Sequence, residues 1–151
     1  MVKRRMMNKQ ELKGKRIGSL DYGRKRIGFA VCDELHITVS TRGVFFKDTP
    51  DYFEKLVEAI NSERLSAIVV GEPVRNDGIE TDLQKEINEF ADNLNEKTGL
   101  AIYRQDESFS SKRAVSTMLE IGFKKKKRRD KANTDTISAA IILRDFLETI
   151  G

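Results

Sequence analysis

Tryptophan is absent from these 151 residues, cysteine and histidine occur once each, and proline occurs twice. Each scarcity removes a class of chemistry. The lone Cys32 has no partner within the chain for a disulfide, which fits a reducing, cytoplasmic location. At the end of a strand-like run it reads as a small core residue. With His36 the only imidazole, a zinc site built from several His or Cys ligands is excluded. A Ser-His-Asp or Cys-His arrangement would have to use that same histidine. No apolar run approaches the roughly 20 residues that span a bilayer. The basic leader MVKRRMMNKQELKGKR lacks the apolar stretch of a secretory signal. Charge, by contrast, is plentiful: 34% of residues are Asp, Glu, Lys or Arg, and the net charge is +4. The balance leans toward anionic partners. The side-chain chemistry on offer is that of carboxylates among cations.

The length fits one domain with a core of its own. Residues 1–14 read as a mobile basic extension and 15–151 as a single folded unit. Three strand-like runs, KRIGSL (15–20), RIGFAVC (26–32) and ITVSTRGVFF (37–46), are joined by short turn-rich segments, the pattern of antiparallel hairpins. The period then changes. Thr49-Pro50 reads as an N-cap with proline at the first helical position, ahead of Phe53, Leu56, Val57 and Ile60 at helical spacing. SAIVVG (66–71) reads as a buried strand. Thr81 and Gln84 form a capping box for a helix that ends near Gly99. LAIYR (100–104) is a further strand, and helices follow at about 110–122 and 133–150. The expected fold is α/β, a mixed five-stranded sheet flanked by helices, with parallel pairing where helices intervene.

Acids recur at the ends of these elements. Asp21 closes the first strand, Asp106 and Glu107 follow the last, and Asp135 lies in the first turn of the final helix. In α/β sheets, sites gather at the carboxyl ends of strands. If the first and last strands are neighbours, these acids converge. Converging carboxylates repel unless cations neutralise them, and oxygen donors suit Mg²⁺ or Mn²⁺. Two such ions about 4 Å apart stabilise the attacking and leaving oxygens of a phosphodiester. Each acid also has an ordinary role: Asp21 as a turn former, Asp135 as a complement to the helix dipole. Glu72, after the fourth strand, is a further candidate. The shared topological position, rather than any one acid, carries the reading.

The run KKKKRR (Lys124, Lys125, Lys126, Lys127, Arg128, Arg129) repels itself and reads as a solvated loop. With Arg24, Lys25 and Arg26 it is a candidate clamp for nucleic-acid backbone, whose binding would weaken steeply with salt. Few aromatics fall among these cations, so recognition by backbone and shape is expected ahead of base stacking.

The ordered motifs LDYGRKRIGFAVCD, IVVGEPVRNDG, DESFSS with Ala114 in the helix after it, and DTISAAIILRDFL resemble the YqgF (RuvX-like) family of nucleases, from about residue 17 to the C-terminus. The resemblance implies an RNase H-like fold and Mg²⁺-dependent hydrolysis. The substrate it implies is the 5′ end of precursor 16S rRNA, in association with the small ribosomal subunit, or a Holliday junction. Carried over by position, Asp21, Glu107 and Asp135 match the acidic constellation, with Asp106 a neighbour that could join the metal. Lys25 and Arg26 match the basic pair, and Asn76 and Gly78 the loop after the fourth strand. Ser108 stands where the family usually has Arg; Lys112 or Arg113 could substitute for it. Glu72 stands where an apolar residue is usual.

Two other classes compete. Sugar-kinase and actin-like ATPases share an Asp-x-Gly hairpin but need two lobes around a nucleotide. A non-catalytic RNA-binding assembly factor on the same fold would bind without cleaving. Junction resolution usually requires a dimer, and the sequence leaves monomer and homodimer open. No organic cofactor and no membrane partner are expected.

Overall fold

The computed structural model describes residues 9–73, 80–106 and 131–150, with backbone alone for 131–135. The run from Ile17 to Cys32 folds back on itself as its turn residues require. β1 (Ile17–Tyr22) pairs antiparallel with β2 (Arg26–Cys32), and Asp21 lies opposite Gly28. At the turn, the Gly23 N–H donates to Arg26 O at 3.0 Å. A Cβ on Gly23 would meet that same oxygen at 2.7 Å, so the tight turn requires glycine. β3 (Val39–Phe46) continues the meander antiparallel to β2, with a bulge between Phe29 and Ala30.

The chain then crosses over. α1 (Tyr52–Ser62) leads to β4 (Ala67–Glu72), which pairs parallel with β1; α2 (Asp82–Thr98) leads to β5 (Ala101–Asp106), parallel to β4. The strand order is β3-β2-β1-β4-β5, a mixed five-stranded sheet. β1 and β5 are therefore not neighbours, contrary to the simplest convergence: β4 lies between them. The carboxyl ends of β1, β4 and β5 nevertheless share one edge, because all three run the same way.

Period-two alternation sends alternate side chains to two cores. Leu20, Tyr22, Ile68 and Val70 pack with Leu56 and Ile60 of α1 and with Ile87, Phe90 and Leu94 of α2. On the other face, Ile17, Ala67, Val69 and Tyr103 pack against Ile142, Leu143 and Phe146 of α3 (Lys131–Ile150). The Thr81–Gln84 capping box is present, and Gly99 ends α2 at φ 72°. The start of α1 differs from expectation. Thr49 O accepts from Tyr52 N within a turn, and Asp51, at φ 63°, is the N-cap without a side-chain cap bond. The turn thus takes up the Thr-Pro pair and the helix begins after it.

Part of the basic leader packs on the fold. Lys9–Leu12 form a 3-10 helix, Leu12 is fully buried, and Lys9 Nζ lies 5.1 Å from the Phe146 ring centroid. One leucine at the right spacing joins this segment to the α3 core. No helix among the described residues is long and apolar enough to cross a membrane. The expected helix at 110–122 lies outside the described residues.

Candidate active site

The site is best located from the contact between β1 and α3. Ser19 is fully buried on the α3 face, and its hydroxyl donates to Ala139 O at 2.6 Å. Asp21 is two residues further along β1 on the same face, an advance of roughly 7 Å. Toward the other end of α3, Lys9 reaches Phe146 and donates to Thr149 Oγ1. Leu12, which leads into β1, lies in the same cluster as Phe146 and Ile150. Position 135 lies one helical turn, about 6 Å, before Ala139 on α3. Ser19, Val69 and Tyr103 are register partners, and α3 meets the first through Ala139 and the third through Phe146, so the helix crosses the strands on the face that carries Asp21.

The remaining predicted residues divide. Asp106 and Glu72, the last residues of β5 and β4, are register partners. By the period of two they share the face of Ile102 and Val70, which pack toward α1 and α2. Glu72 is bound there: Arg104 Nη1 donates to its carboxylate at 3.0 Å, and Arg104 Nη2 donates to Asn88 of α2 at 2.9 Å. Glu72 and Asp106 thus lie across the sheet from Asp21. Glu107, Asn76 and Lys124 through Arg129 lie outside the described residues, as does the side chain of Asp135. Among the described residues, no three carboxylate, His or Cys groups cluster as metal ligands.

Of the hairpin cations, Lys25 is exposed and Arg26 is half-buried at the start of β2. Arg24 Nε donates to Glu86 Oε2 at 3.2 Å in an exposed pair. Pairs of this kind contribute little, so Glu86 holds Arg24 only weakly. The two residues on which nucleophilic chemistry would have depended have structural duties. Cys32 is buried, accepts from Ile17 N, and has its thiol pushed up by desolvation. His36, at φ 58° in the β2–β3 turn, places Nε2 2.7 Å from Lys15 O.

Sequence reasoning missed a polar cluster behind Asp21. Tyr22 OH accepts from Lys47 Nζ at 2.6 Å and donates to Glu86 at 3.3 Å, while Lys47 Nζ lies 4.2 Å from the Tyr22 ring centroid. Burial, then the nearby Glu86 carboxylate, pushes the Tyr22 hydroxyl up to about 12. Lys47 N also donates to Lys25 O at 2.9 Å. The cluster clamps the hairpin that carries Asp21 and the three cations. The only local hint was a tyrosine directly after the key aspartate.

The chain matches a family model described as RuvX, Holliday junction resolvase, over residues 15–149. It is 43% identical over 133 residues to a protein of Christiangramia forsetii named "Putative pre-16S rRNA nuclease", covering 87% of this chain and 97% of that one. A Flavobacterium psychrophilum protein of the same name is 38% identical, covering 87% of this chain and 96% of that one. Among solved structures, Thermus thermophilus RuvC in complex with a Holliday junction substrate matches with a TM-score of 0.54 at 15% identity, over 91% of this chain and 96% of that one. That likeness fixes the fold as RNase H-like. The family match takes in the whole sheet and its covering helices: the chain belongs to the RuvX family of RNase H-like nucleases.

Proposed function

We propose that the protein is a divalent-metal-dependent endonuclease that hydrolyses phosphodiester bonds at the 5′ end of precursor 16S rRNA in the cytoplasm, working on or near the small ribosomal subunit. The observation that supports this reading is the Ser19–Ala139 hydrogen bond, which ties β1 two residues before Asp21 to α3 four residues after position 135. Asp21, Glu107 and Asp135 are the proposed acids. Asp106 drops to a secondary place, because it shares the opposite face with Glu72 and Arg104. The donor set fits Mg²⁺ or Mn²⁺: it consists of hard carboxylate oxygens, whereas Cys32 and His36 are held elsewhere. A pair of such ions supplies Lewis-acid stabilisation of the attacking and leaving oxygens when bound.

The protein's own residues do the positioning. Asp21 is held in a β-ladder opposite Gly28, so its backbone has little freedom to move away from the edge. Lys25, Arg26 and a weakly held Arg24 neutralise phosphates flanking the scissile one, and Asn76 and the Lys124–Arg129 run extend that contact. The rRNA substrate is favoured over a junction by the names of relatives whose lengths this chain covers almost completely.

The test is a cleavage assay on a precursor rRNA fragment and a four-way DNA junction, with and without Mg²⁺ or Mn²⁺. Metal-dependent cleavage of the RNA is expected. Asp21→Asn should keep the fold and lose at least about 100-fold in rate, since even supporting residues of metal sites act on that scale. A fully active Asp21→Asn protein removes the site. Preferential cutting of the junction makes the enzyme a resolvase, and tight RNA binding without cleavage makes it an assembly factor.

A further inference from the structure

On the far side of β1 from Asp21, a cavity of about 260 Å³ opens between β1, α1 and α2. Its walls are aromatic: Tyr22, Tyr52, Phe53 and Phe90, drawn from three elements. Tyr22 and Phe53 each pack on Phe90, with ring centroids 4.8 and 6.2 Å apart. Its polar lining is Glu86, Glu89 and Asn93, all on α2. The volume falls below the roughly 300 Å³ at which sites for drug-sized ligands begin, which leaves room for one ring system.

Two features define the occupant. The first is location. β3 runs parallel to β1, so the start of α1 with Tyr52 and Phe53 lies at the same sheet edge as Asp21, and Tyr22 is the residue next to it. Arg24 and Lys47 both meet the Tyr22–Glu86 pair at this edge. The second is the state of the polar groups. Glu86 is engaged by Tyr22 OH and Arg24, and Lys47 already sits over the Tyr22 ring. Glu86 is thus taken internally, and Glu89 is the lining carboxylate left open. Glu89, Asn93 and the Tyr52 hydroxyl make no hydrogen bond or ion pair among the described residues. A carboxylate only accepts hydrogen bonds, whereas an amide does both. The free set therefore suits a flat ring that carries an amino group.

We propose that this cavity is a subsite for one unpaired nucleobase bearing an exocyclic amino group, stacked on Tyr52 or Phe53 and read by Glu89 and Asn93. Single-stranded RNA offers such bases, splayed out for stacking and edge recognition. A fully paired junction does not. The assignment deepens the proposed function and rests on its view that the chain handles nucleic acid.

Short oligo(rC) and oligo(rU) test it, because they share backbone and ring size and differ in an amino group against a carbonyl. Binding is measured with Asp21→Asn protein in Mg²⁺, so that cleavage does not intrude. Tighter binding of oligo(rC) is expected, by roughly 5- to 150-fold, the range of base-edge discrimination. Glu89→Gln changes an exposed, isosteric side chain and should collapse that preference while leaving the circular dichroism spectrum unchanged. Tyr52→Ala should weaken both RNAs by a similar factor through lost stacking. Equal affinity of the two RNAs, or a Glu89→Gln change that is the same for both, overturns the subsite while leaving the nuclease reading to its own assay. A preference that persists when precursor rRNA is not cleaved keeps the subsite and removes the nuclease reading. Binding of a lysine-rich peptide in a Glu89-dependent way, with no base preference, assigns the cavity to a cationic side chain and overturns the proposal.

Discussion

Tyr22 links the two faces of the site, because its backbone follows Asp21 in the ladder while its hydroxyl joins Lys47 to Glu86. Replacing it with phenylalanine keeps the ring packing and removes two hydrogen bonds, a loss of about 0.5–1.5 kcal/mol each at neutral pH. The effect depends on pH in a defined direction. The folded protein holds the Tyr22 proton to about 12, against 10.0 for a free tyrosine, first through burial and then through Glu86. That tighter hold stabilises the fold fully below about pH 10 and is lost as pH rises through about 12. Urea midpoints of wild type and Tyr22→Phe should therefore converge between pH 10 and 12. A gap that stays constant across that window would show that the tyrosine hydroxyl titrates alike in both states. Nothing local in the sequence discloses this role: Tyr22 and Glu86 are 64 residues apart, and only the β1–α2 packing brings them together.

Among the elements, the contact of β1 with α3 matters most to the proposed site, since it ties the strand that carries Asp21 to the helix that carries Asp135. Ser19→Ala removes the buried hydroxyl that makes this contact. Stability should fall by only about 1 kcal/mol, an ordinary hydrogen-bond loss. The cleavage rate of fully folded protein should fall about tenfold or more, because small displacements of reacting groups are costly. Rate and urea midpoint measured on the same samples separate the two effects; a rate that stays at the wild-type value would show that the acids are positioned without this bond. How far the elements were legible follows from the range of the forces that make them. β2 and the Thr81–Gln84 cap were readable because alternation and capping act over a few residues. Asp21 was taken to end its strand, yet Tyr22 extends it, since pairing with Ile27 rather than local propensity decides where β1 stops. The place of β4 between β1 and β5 was not readable at all, because strand order is set by crossovers and by which faces must be covered. The same alternation that was readable within strands, once joined to that order, puts Asp106 and Asp21 on opposite faces.

For the molecule as a whole, the proposed reading assigns affinity and selectivity to different surfaces. Backbone phosphates interact with cations regardless of sequence, and each neutralised phosphate of a single strand contributes about −0.7 to the slope of log affinity against log salt. The Lys124–Arg129 run is the densest cationic segment of the chain, and its proposed duty is this general attraction. Replacing Lys124, Lys125, Lys126 and Lys127 with Gln should weaken oligo(rC) and oligo(rU) equally and flatten the salt slope by up to about 3 if all four contact phosphate. The ratio between the two RNAs should stay as it was, because the proposed base subsite lies at Glu89 and Asn93. Glu89→Gln should do the reverse, changing the ratio with little change in slope. A slope that the four-lysine variant leaves untouched would remove the run from the RNA interface, and the attraction would then fall to Arg24, Lys25, Arg26 and Lys47 around the hairpin.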